Sequence, residues 1–422
     1  MKFPSRLKIP TDVLQIAETL EGAGYEAWCV GGAIRDTLLG EDNTDYDIAT
    51  SATPEVVQGL FRNTVPVGAR FGTVAVRAHR RHHEVTTFRR DVSTDGRHAV
   101  VEYGVSLDED LARRDFTINA IAYHPLRHQW RDPWKGADDL DAACIRAVGN
   151  PAERFREDYL RILRGLRFAA RFGFEIEPAT WAAMQALADG LSRLSAERVR
   201  DEWFKGLRGA VSIRRLTDLW RASGAAKVWL PELLATPDGD EGIAVASGET
   251  AGPRVGALTA RRGVLPTLEV DRGDEDLRDP VLLTALLCLD PVSVLLRLKA
   301  SNAEIARATG MVTGPEEPAS AALIDVRRWM AAVGEAADDL ARLWRLRHGA
   351  PPAWSAVMRG IRERGEPLTR KQLAVTGEDL REAGMEPGPM MGLTLDRLLT
   401  LVVDDPGLNT REQLLERARS LA

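Results

Sequence analysis

A double glycine between an apolar run and a helical pattern is the feature that most constrains the fold of this chain. Residues Glu26–Val30 predict a short strand, Gly31 and Gly32 follow it directly, and Ala33–Leu39 has helical spacing. Glycines at a strand-to-helix turn let the backbone approach a phosphate closely, with N–H groups directed at it. A double glycine alone indicates only a tight turn, so the residues that follow decide its meaning.

Two aspartates follow this turn after one short connection. Asp45 and Asp47 stand at positions i and i+2 of a predicted strand, so both side chains leave it on one face. Two like charges held together are unfavourable unless a cation lies between them. Hard divalent ions such as Mg²⁺ bind carboxylate oxygens and substrate phosphates together. Asp45 and Asp47 are therefore the predicted metal ligands and catalytic residues.

Glu84 is the candidate for a third catalytic carboxylate. It lies within a β-rich run, where a charged residue indicates either a functional face or a solvated strand edge. The run alone does not separate these two interpretations. The neighbouring His82 and His83 are expected to be exposed polar side chains.

From residue 146 onward the sequence is predominantly helical. Residues 152–171 and 196–208, for example, have helical apolar spacing and few β-branched clusters. Residues 236–279 are rich in glycine, alanine, threonine and charge and lack periodicity, which predicts an irregular insertion or linker. The predicted organisation is an α/β head at 1–145 followed by helical segments at 146–210, 211–335 and 336–422.

Composition excludes several classes of protein. With 422 residues, 44% of them hydrophobic, the chain can bury a core and is not wholly disordered. The most apolar stretch, Val281–Leu289, is far shorter than the roughly 20 residues that cross a bilayer. Three widely spread cysteines and no apolar signal core favour the cytoplasm. A net charge of −6 excludes a wholly basic nucleic-acid coat.

Five sequence blocks together resemble one family of enzymes. The Gly-Gly-x-x-Arg-Asp and Asp-x-Asp pattern is similar to that of the nucleotidyltransferase superfamily that includes DNA polymerase β. The chain is identified by four further blocks as similar to the class II CCA-adding tRNA nucleotidyltransferases and bacterial poly(A) polymerases. These blocks stand in family order at Arg113–Ala120, Asp132–Gly136, Glu157–Arg164 and Ser195–Arg200.

The resemblance implies both the fold and the reaction. It implies an α/β head of the polymerase-β-like superfamily followed by an all-α neck, body and tail, with base recognition in the neck and tRNA binding in the tail. The implied reaction adds CCA to the 3′ end of tRNA from CTP and ATP without a template. It uses Mg²⁺ and releases pyrophosphate, and two metal ions would activate the attacking hydroxyl and stabilise the leaving group.

Asp158 and Arg161 form the predicted base-recognition pair. They are three residues apart in a predicted helix, so they are expected to share a face. Aspartate offers only acceptors and arginine only donors. Together they complement the amino donor and ring-nitrogen acceptor of cytosine or adenine and oppose the reversed order of uracil and guanine. An intrahelical ion pair is the alternative interpretation of the same spacing.

The resemblance also implies the remaining nucleotide contacts. Arg114 would bind triphosphate, and Asp115 and Asn119 would contact the ribose. Glu197 and Arg198 are expected to form a structural salt bridge in the neck. The full set of expected nucleotide-binding residues is Gly31, Gly32, Arg35, Arg114, Asp115, Asn119, Asp158, Arg161 and Arg164.

Three alternatives to complete CCA addition remain at this point. The chain can be an enzyme that adds only the terminal A, a poly(A) polymerase, or a catalytically silent RNA-binding relative. The polar segment Asp91–His98 contains a glycine and is expected to be a flexible loop. In the family, enzymes that stop after CC have a shortened loop here, and the near-full length of this one favours addition of the final A. An ordinary surface loop explains the segment equally simply.

Overall fold

The computed structural model describes residues 2–41, 45–68, 72–78, 81–94, 99–234 and 274–421. The chain divides into two compact units, Met1–Leu234 and Ala235–Ala422. Of the expected insertion at 236–279, only residues 274–279 fall within the described part of the chain. The division into head, neck, body and tail stays a prediction.

The strands of the first unit form one large mixed sheet and two small ones. The seven-stranded sheet has the order β3-β4-β5-β2-β1-β8-β9, whereas β6 pairs with β7 and β10 with β11. The strands are β1 (Ala27–Val30), β2 (Asp47–Thr50), β3 (Thr64–Gly68), β4 (Thr73–Ala78), β5 (Arg81–Thr87), β6 (Arg89–Thr94), β7 (Ala99–Tyr103), β8 (Ala122–His124), β9 (Gln129–Arg131), β10 (Cys144–Ile145) and β11 (Glu175–Ile176).

Helices flank the sheet and then replace it along the chain, which confirms the predicted α/β head and helical remainder. Short 3₁₀ turns occur at Thr117–Asn119, Ala188–Arg193 and Pro231–Leu234. The α-helices of the first unit are α1 (Thr11–Gly22), α2 (Gly32–Leu38), α3 (Pro54–Leu60), α4 (Leu107–Ala112), α5 (Gly136–Asp141), α6 (Pro151–Glu157), α7 (Leu160–Phe172), α8 (Pro178–Ala186), α9 (Ala196–Gly209), α10 (Ile213–Ala222) and α11 (Ala225–Trp229).

In the core of the first unit, side chains of the central strands pack against the segment that follows β7. Buried apolar side chains of β1, β2 and α4 pack in one cluster, so the strand ends that carry the polar site residues rest on a rigid support. The members of this cluster are Trp28, Val30, Ala49, Phe88, Leu107, Leu111, Ala120, Ala122 and Val148.

Two expectations about local structure were wrong. The helix predicted over 152–171 is broken, because Asp158 is extended (φ −154°, ψ 106°) and its Oδ1 accepts a hydrogen bond from the backbone N–H of Leu160. That bond satisfies a free donor in the first turn of α7. The expected flexible loop at 91–98 begins as a strand, since residues 91–94 belong to β6 and pair with β7. Residues 95–98 lie outside the described part of the chain.

The described part of the second unit is built from helices. The apolar faces of α18, α19 and α20 pack around Leu398 and Val402 of α19, and Arg327 donates to the carbonyls of Val403 (3.0 Å) and Asp404 (3.3 Å) at the end of α19. Among the described helices of the chain, none combines the length and apolarity needed to cross a membrane. The helices are α12 (Pro280–Leu287), α13 (Pro291–Arg297), α14 (Asn302–Thr313), α15 (Leu323–Val333), α16 (Ala337–His348), α17 (Ser355–Glu363), α18 (Gly377–Glu382), α19 (Pro389–Asp404) and α20 (Arg411–Leu421).

Candidate active site

Strand register brings the predicted catalytic carboxylates to one cavity. β2 and β5 are parallel with Ile48 opposite Val85, so the preceding residues, Asp47 and Glu84, are neighbours on one face of the sheet. Asp45 lies two residues before Asp47. All three carboxylates line a cavity of about 400 Å³, whose other lining residues are Val65, Ala75 and His82. We call this space the carboxylate cavity.

Of the two histidines beside Glu84, His82 is exposed as expected, whereas His83 is not. His82 shares the face of Glu84 and lines the carboxylate cavity, because side chains alternate along β5. His83 was expected to be exposed, yet it is buried on the opposite face and its Nε2 lies 3.0 Å from Oδ2 of Asp12 in α1. The apolar packing of α1 against the sheet covers this position, which strand alternation alone did not reveal.

The electrostatics of the carboxylate cavity favour a cation. Burial raises the pKa of Asp47 to about 6, the negative charge of Glu84 adds to this shift, and the positive charge of Arg114 opposes it. Among the described residues, no three His, Cys, Asp or Glu side chains converge into a ready-made ligand set. A donor set of one or two carboxylates fits Mg²⁺, which commonly takes its other ligands from water and substrate phosphates.

Gly31 gives the backbone close access to this charged region. It follows β1 directly and has φ +77°, a backbone conformation that residues with a side chain rarely adopt. A Cβ atom there would lie 3.2 Å from Nη1 of Arg114 and 3.5 Å from Oδ2 of Asp47. Gly32 begins α2, and its own Cβ would lie 3.4 Å from Nη2 of Arg35. The double glycine thus stands between the predicted metal ligand and the predicted triphosphate ligand.

Asp110 orients the two arginines that follow α4, and it is a site residue that was not predicted from the sequence. Its side chain is 1% exposed and accepts hydrogen bonds from Nε of Arg113 (3.0 Å) and Nη2 of Arg114 (3.2 Å). Burial raises the pKa of Asp110, but the charges of Arg114 and Arg113 outweigh it and hold that pKa below its ordinary value. The spacing of i, i+3 and i+4 along a helix was the signal that predicts this cluster.

Asp115 and its partners form a second buried polar group. Oδ1 of Asp115 accepts from the backbone N–H of Phe116 (2.9 Å) and from Nδ2 of Asn119 (2.9 Å), and Oδ2 accepts from Nε of Arg164 (2.7 Å). Burial raises the pKa of Asp115, but Arg164 and Asn119 outweigh it and the pKa is strongly lowered. A carboxylate offers about four acceptor directions. Three are used here, so Asp115 retains capacity to accept from a substrate hydroxyl.

Arg35 is enclosed by protein. It is 3% exposed, and it donates to Oδ1 of Asn119 (2.5 Å) and to Oδ1 of Asp36 (2.6 Å). Its guanidinium carbon lies 4.9 Å from the ring centre of Phe168 and 4.8 Å from that of Phe172. A direct contact with nucleotide, the role expected from the sequence, would require this guanidinium to leave its partners.

The predicted base-recognition pair does not share a helix face, because Asp158 lies in the break before α7. Oδ2 of Asp158 accepts from Nη2 of Arg198 (2.7 Å), so Arg198, expected to form a neck salt bridge with Glu197, bonds Asp158. Arg161 donates to Oε2 of Glu157 (2.5 Å) and to the carbonyl of Arg113 (3.0 Å). Both members of the pair are therefore anchored by neighbouring groups.

Tyr159 fixes the backbone immediately after Asp158. Its ring lies against Gly190, where an added Cβ would stand 1.9 Å from Cε1 of the ring. The guanidinium carbon of Arg193 lies 5.5 Å from the centre of the same ring. The 3₁₀ turn after α8 thus supports the extended conformation of Asp158.

Comparisons with known proteins match nearly the whole chain. The family described as the poly A polymerase head domain matches residues 27–146, the probable RNA and SrmB-binding site of polymerase A matches residues 173–236, and the putative tRNA nucleotidyltransferase domain 2 matches residues 281–418. The CCA-adding enzyme of Levilactobacillus brevis is 35% identical over 418 residues, which cover 95% of this chain and 94% of that protein. The CCA-adding enzyme of Leuconostoc mesenteroides is 47% identical over 209 residues, covering 49% and 51%.

Solved structures agree with the sequence relatives. The Bacillus stearothermophilus CCA-adding enzyme in complex with CTP has a TM-score of 0.74 and 29% identity, over 97% of this chain and 98% of that one. The Thermotoga maritima CCA-adding enzyme complexed with tRNA has a TM-score of 0.59 and 19% identity, over 97% and 94%, and that likeness concerns the fold alone.

Proposed function

The chain belongs to the family of class II CCA-adding tRNA nucleotidyltransferases and bacterial poly(A) polymerases, and on that premise we propose how its residues perform the family's reaction. The protein adds C, C and A to the 3′ end of tRNA from CTP and ATP, without a nucleic-acid template, and releases pyrophosphate. The single observation that carries the site assignment is the strand register that places Asp47 beside Glu84, next to Gly31 and Arg114. We propose the cytoplasm as its location.

Asp45, Asp47 and Glu84 form the catalytic centre. The family uses divalent metal, and we propose that Asp45 and Asp47 hold Mg²⁺. Mg²⁺ held by these residues would supply electrostatic stabilisation of the charge that develops on the phosphate oxygens. The oxygen of the tRNA 3′-hydroxyl bonds to the α-phosphorus, its proton is released to solvent, and the bond to pyrophosphate breaks, so no covalent enzyme intermediate is needed.

The nucleotide is held by groups close to Asp47 and by the polar group around Asp115. Arg114 and the backbone at Gly31 and Gly32 bind the triphosphate, because a donor-only guanidinium and a glycine turn both suit phosphate oxygens. Asp115 accepts a hydrogen bond from a ribose hydroxyl through the acceptor direction that its protein partners do not use. Arg164 holds the other side of that carboxylate and also carries the positive charge that keeps it ionised.

Asp158 and Arg161 select the base. Asp158 presents only acceptors and Arg161 only donors, which suits cytosine and adenine and opposes uracil and guanine. Asp158 is bonded to Arg198 and Arg161 to Glu157, so a base competes with these partners for the pair. Selection therefore depends on how the neck holds both side chains, in addition to their chemistry. The tail at 336–422 is proposed to bind tRNA.

The reaction is tested by supplying CTP and ATP to a tRNA that lacks all three terminal nucleotides. We expect extension to complete CCA, and expect Asp47→Ala to abolish it while tRNA affinity stays near the wild-type value, because phosphate contacts elsewhere bind tRNA. Glu18→Ala, at an exposed carboxylate on α1, is the control. Extension only of tRNA that already ends in CC would show an A-adding enzyme. Long adenylate tails on other RNA would show a poly(A) polymerase.

Base selection is tested separately. Arg161→Ala should raise incorporation of UTP and GTP relative to CTP and ATP more than it weakens triphosphate binding, since the lost donors read the base edge. Arg161→Lys keeps the charge without the planar fork and is expected to be intermediate. If only triphosphate binding falls, Arg161 is a phosphate ligand or a structural residue instead.

A further inference from the structure

We propose that Arg35 is a positioning residue for sugar recognition, which orients Asn119 and, through it, Asp115, so that the site prefers ribonucleotides to 2′-deoxyribonucleotides. The proposal rests on the proposed function, which assigns Asp115 to a ribose hydroxyl. It differs from the expectation that Arg35 touches the nucleotide, because Arg35 acts here through two intervening side chains.

The partners of Asn119 allow only one orientation of its amide. Arg35 is a donor only, so the atom that it contacts at 2.5 Å must be the carbonyl oxygen Oδ1. The Asp115 carboxylate is an acceptor only, so the atom that it contacts at 2.9 Å must be the amide nitrogen Nδ2. Asn119 is 5% exposed. Removing Arg35 removes the group that distinguishes the two ends of the amide.

Arg35 is itself held by groups that belong to two different parts of the chain. Asp36 accepts from Nε (2.8 Å) and Nη2 (2.6 Å) of Arg35, which leaves Nη1 directed at Asn119. The rings of Phe168 and Phe172, both on α7, lie against the guanidinium. A lysine has one nitrogen in place of three and no plane to stack, so it cannot reproduce both contacts.

Loss of this arrangement should weaken recognition of one substrate group, the ribose 2′-hydroxyl. Without Arg35, Asn119 no longer has a fixed orientation and Oδ1 of Asp115 loses one of its two donors, while the backbone N–H of Phe116 still contacts Oδ1 and Arg164 still holds Oδ2. The carboxylate then turns more freely and its open acceptor direction is less well defined. Addition of ATP should slow for this reason, whereas 2′-deoxy-ATP, which lacks the hydroxyl, should be used nearly as before.

The test compares kcat/KM for ATP and 2′-deoxy-ATP in the addition of the last nucleotide to tRNA ending in CC. Arg35→Lys should reduce the preference for ATP by about fivefold or more, mainly through loss on ATP. Arg171→Lys is the matched control, since Arg171 contacts the other oxygen of Asp36 (3.2 Å) and also lies against Phe172. That variant should keep the preference within about twofold of wild type.

The outcomes separate this proposal from the assignment on which it rests. If Asn119→Ala and Asp115→Asn keep the full preference, the sugar assignment is wrong. If those variants lose the preference but Arg35→Lys keeps it, the positioning proposal alone is overturned. An equal loss in Arg171→Lys would also overturn it, because general packing would then explain the effect. Should Arg35→Lys not fold, Arg35→Gln replaces it, and the double variant with Asn119→Ala should show no loss of preference beyond that of Asn119→Ala.

Discussion

Replacing Asp47 by asparagine should stabilise the metal-free protein while abolishing nucleotide addition. The pKa of Asp47 is raised from 3.8 to about 6, first by burial and then by the charge of Glu84. An acid with a raised pKa binds its proton more tightly in the folded state than in the unfolded state. Its ionisation therefore costs stability as pH rises through this range, from about pH 4 upward, and the full cost is present above about pH 6.

The size of the effect follows from the shift. Two pKa units correspond to about 3 kcal/mol at pH 8, and roughly half of that at pH 5, where most of the native Asp47 is protonated. Asparagine has nearly the same shape and no charge, so Asp47→Asn should recover most of this free energy. It should also remove a metal ligand, and nucleotide addition with it.

Hydrogen exchange of the β1 and β2 amides in EDTA measures this local free energy of unfolding. Comparing wild type with Asp47→Asn at one pH cancels the intrinsic exchange rates. Asp189→Asn, which removes an exposed carboxylate, controls for the change in net charge. Adding Mg²⁺ should stabilise wild type and leave Asp47→Asn nearly unchanged. Equal stability of wild type and variant at pH 8, or an equal gain at pH 5 and pH 8, would refute the reasoning.

Three other substitutions follow from close contacts and ion pairs. Gly136→Ala should lower the free energy of unfolding by about 3 kcal/mol, because the added Cβ would lie 2.2 Å from a backbone oxygen. The control is Gly59→Ala, whose Cβ would have open space around it and should not lower the stability. Equal thermal unfolding temperatures of the two variants would contradict the predicted clash at Gly136. Gly190→Ala should displace the ring of Tyr159, which follows the base-reading residue Asp158, and should raise UTP misincorporation. Unchanged fidelity would show that contact between Tyr159 and Gly190 does not support Asp158. Asp110→Asn should reduce kcat/KM for CTP about tenfold, mainly through KM, because the two arginines that it aims lose a charged partner; an unchanged KM would argue against that role.

Local spacing predicted that Asp45 and Asp47 lie close together, and both line the carboxylate cavity, while their catalytic role stays a prediction. The spacing of two assumed that both lie in a strand, whose side chains alternate; β2 begins only at Asp47, yet Asp45 still reaches the same cavity. Glu84 was selected by its place in a β-rich run, but its neighbour is set by the parallel register of β2 on β5. Register between strands that are distant in sequence depends on the packing of whole faces, which spacing within one strand does not contain.

The errors arose where tertiary contacts override local pattern. The helical spacing of residues 152–171 continues through Asp158, yet the side chain of Asp158 bonds the backbone at Leu160 and ends α6. The enclosure of Arg35 depends on two rings of α7 more than 130 residues away in the chain. A sequence motif can thus identify Arg35 as important without showing which group it contacts.

The position of β1 in the sheet has a consequence for biosynthesis. β1 pairs with β2, which follows it closely in the chain, but its other edge pairs with β8, about 90 residues later. At a synthesis rate of 5–20 residues per second, that edge waits roughly 5–20 s for its partner. An unpaired edge offers backbone N–H and C=O groups to strands of other nascent chains. Substitutions that leave the finished enzyme equally stable can therefore still lower its yield, by prolonging this interval.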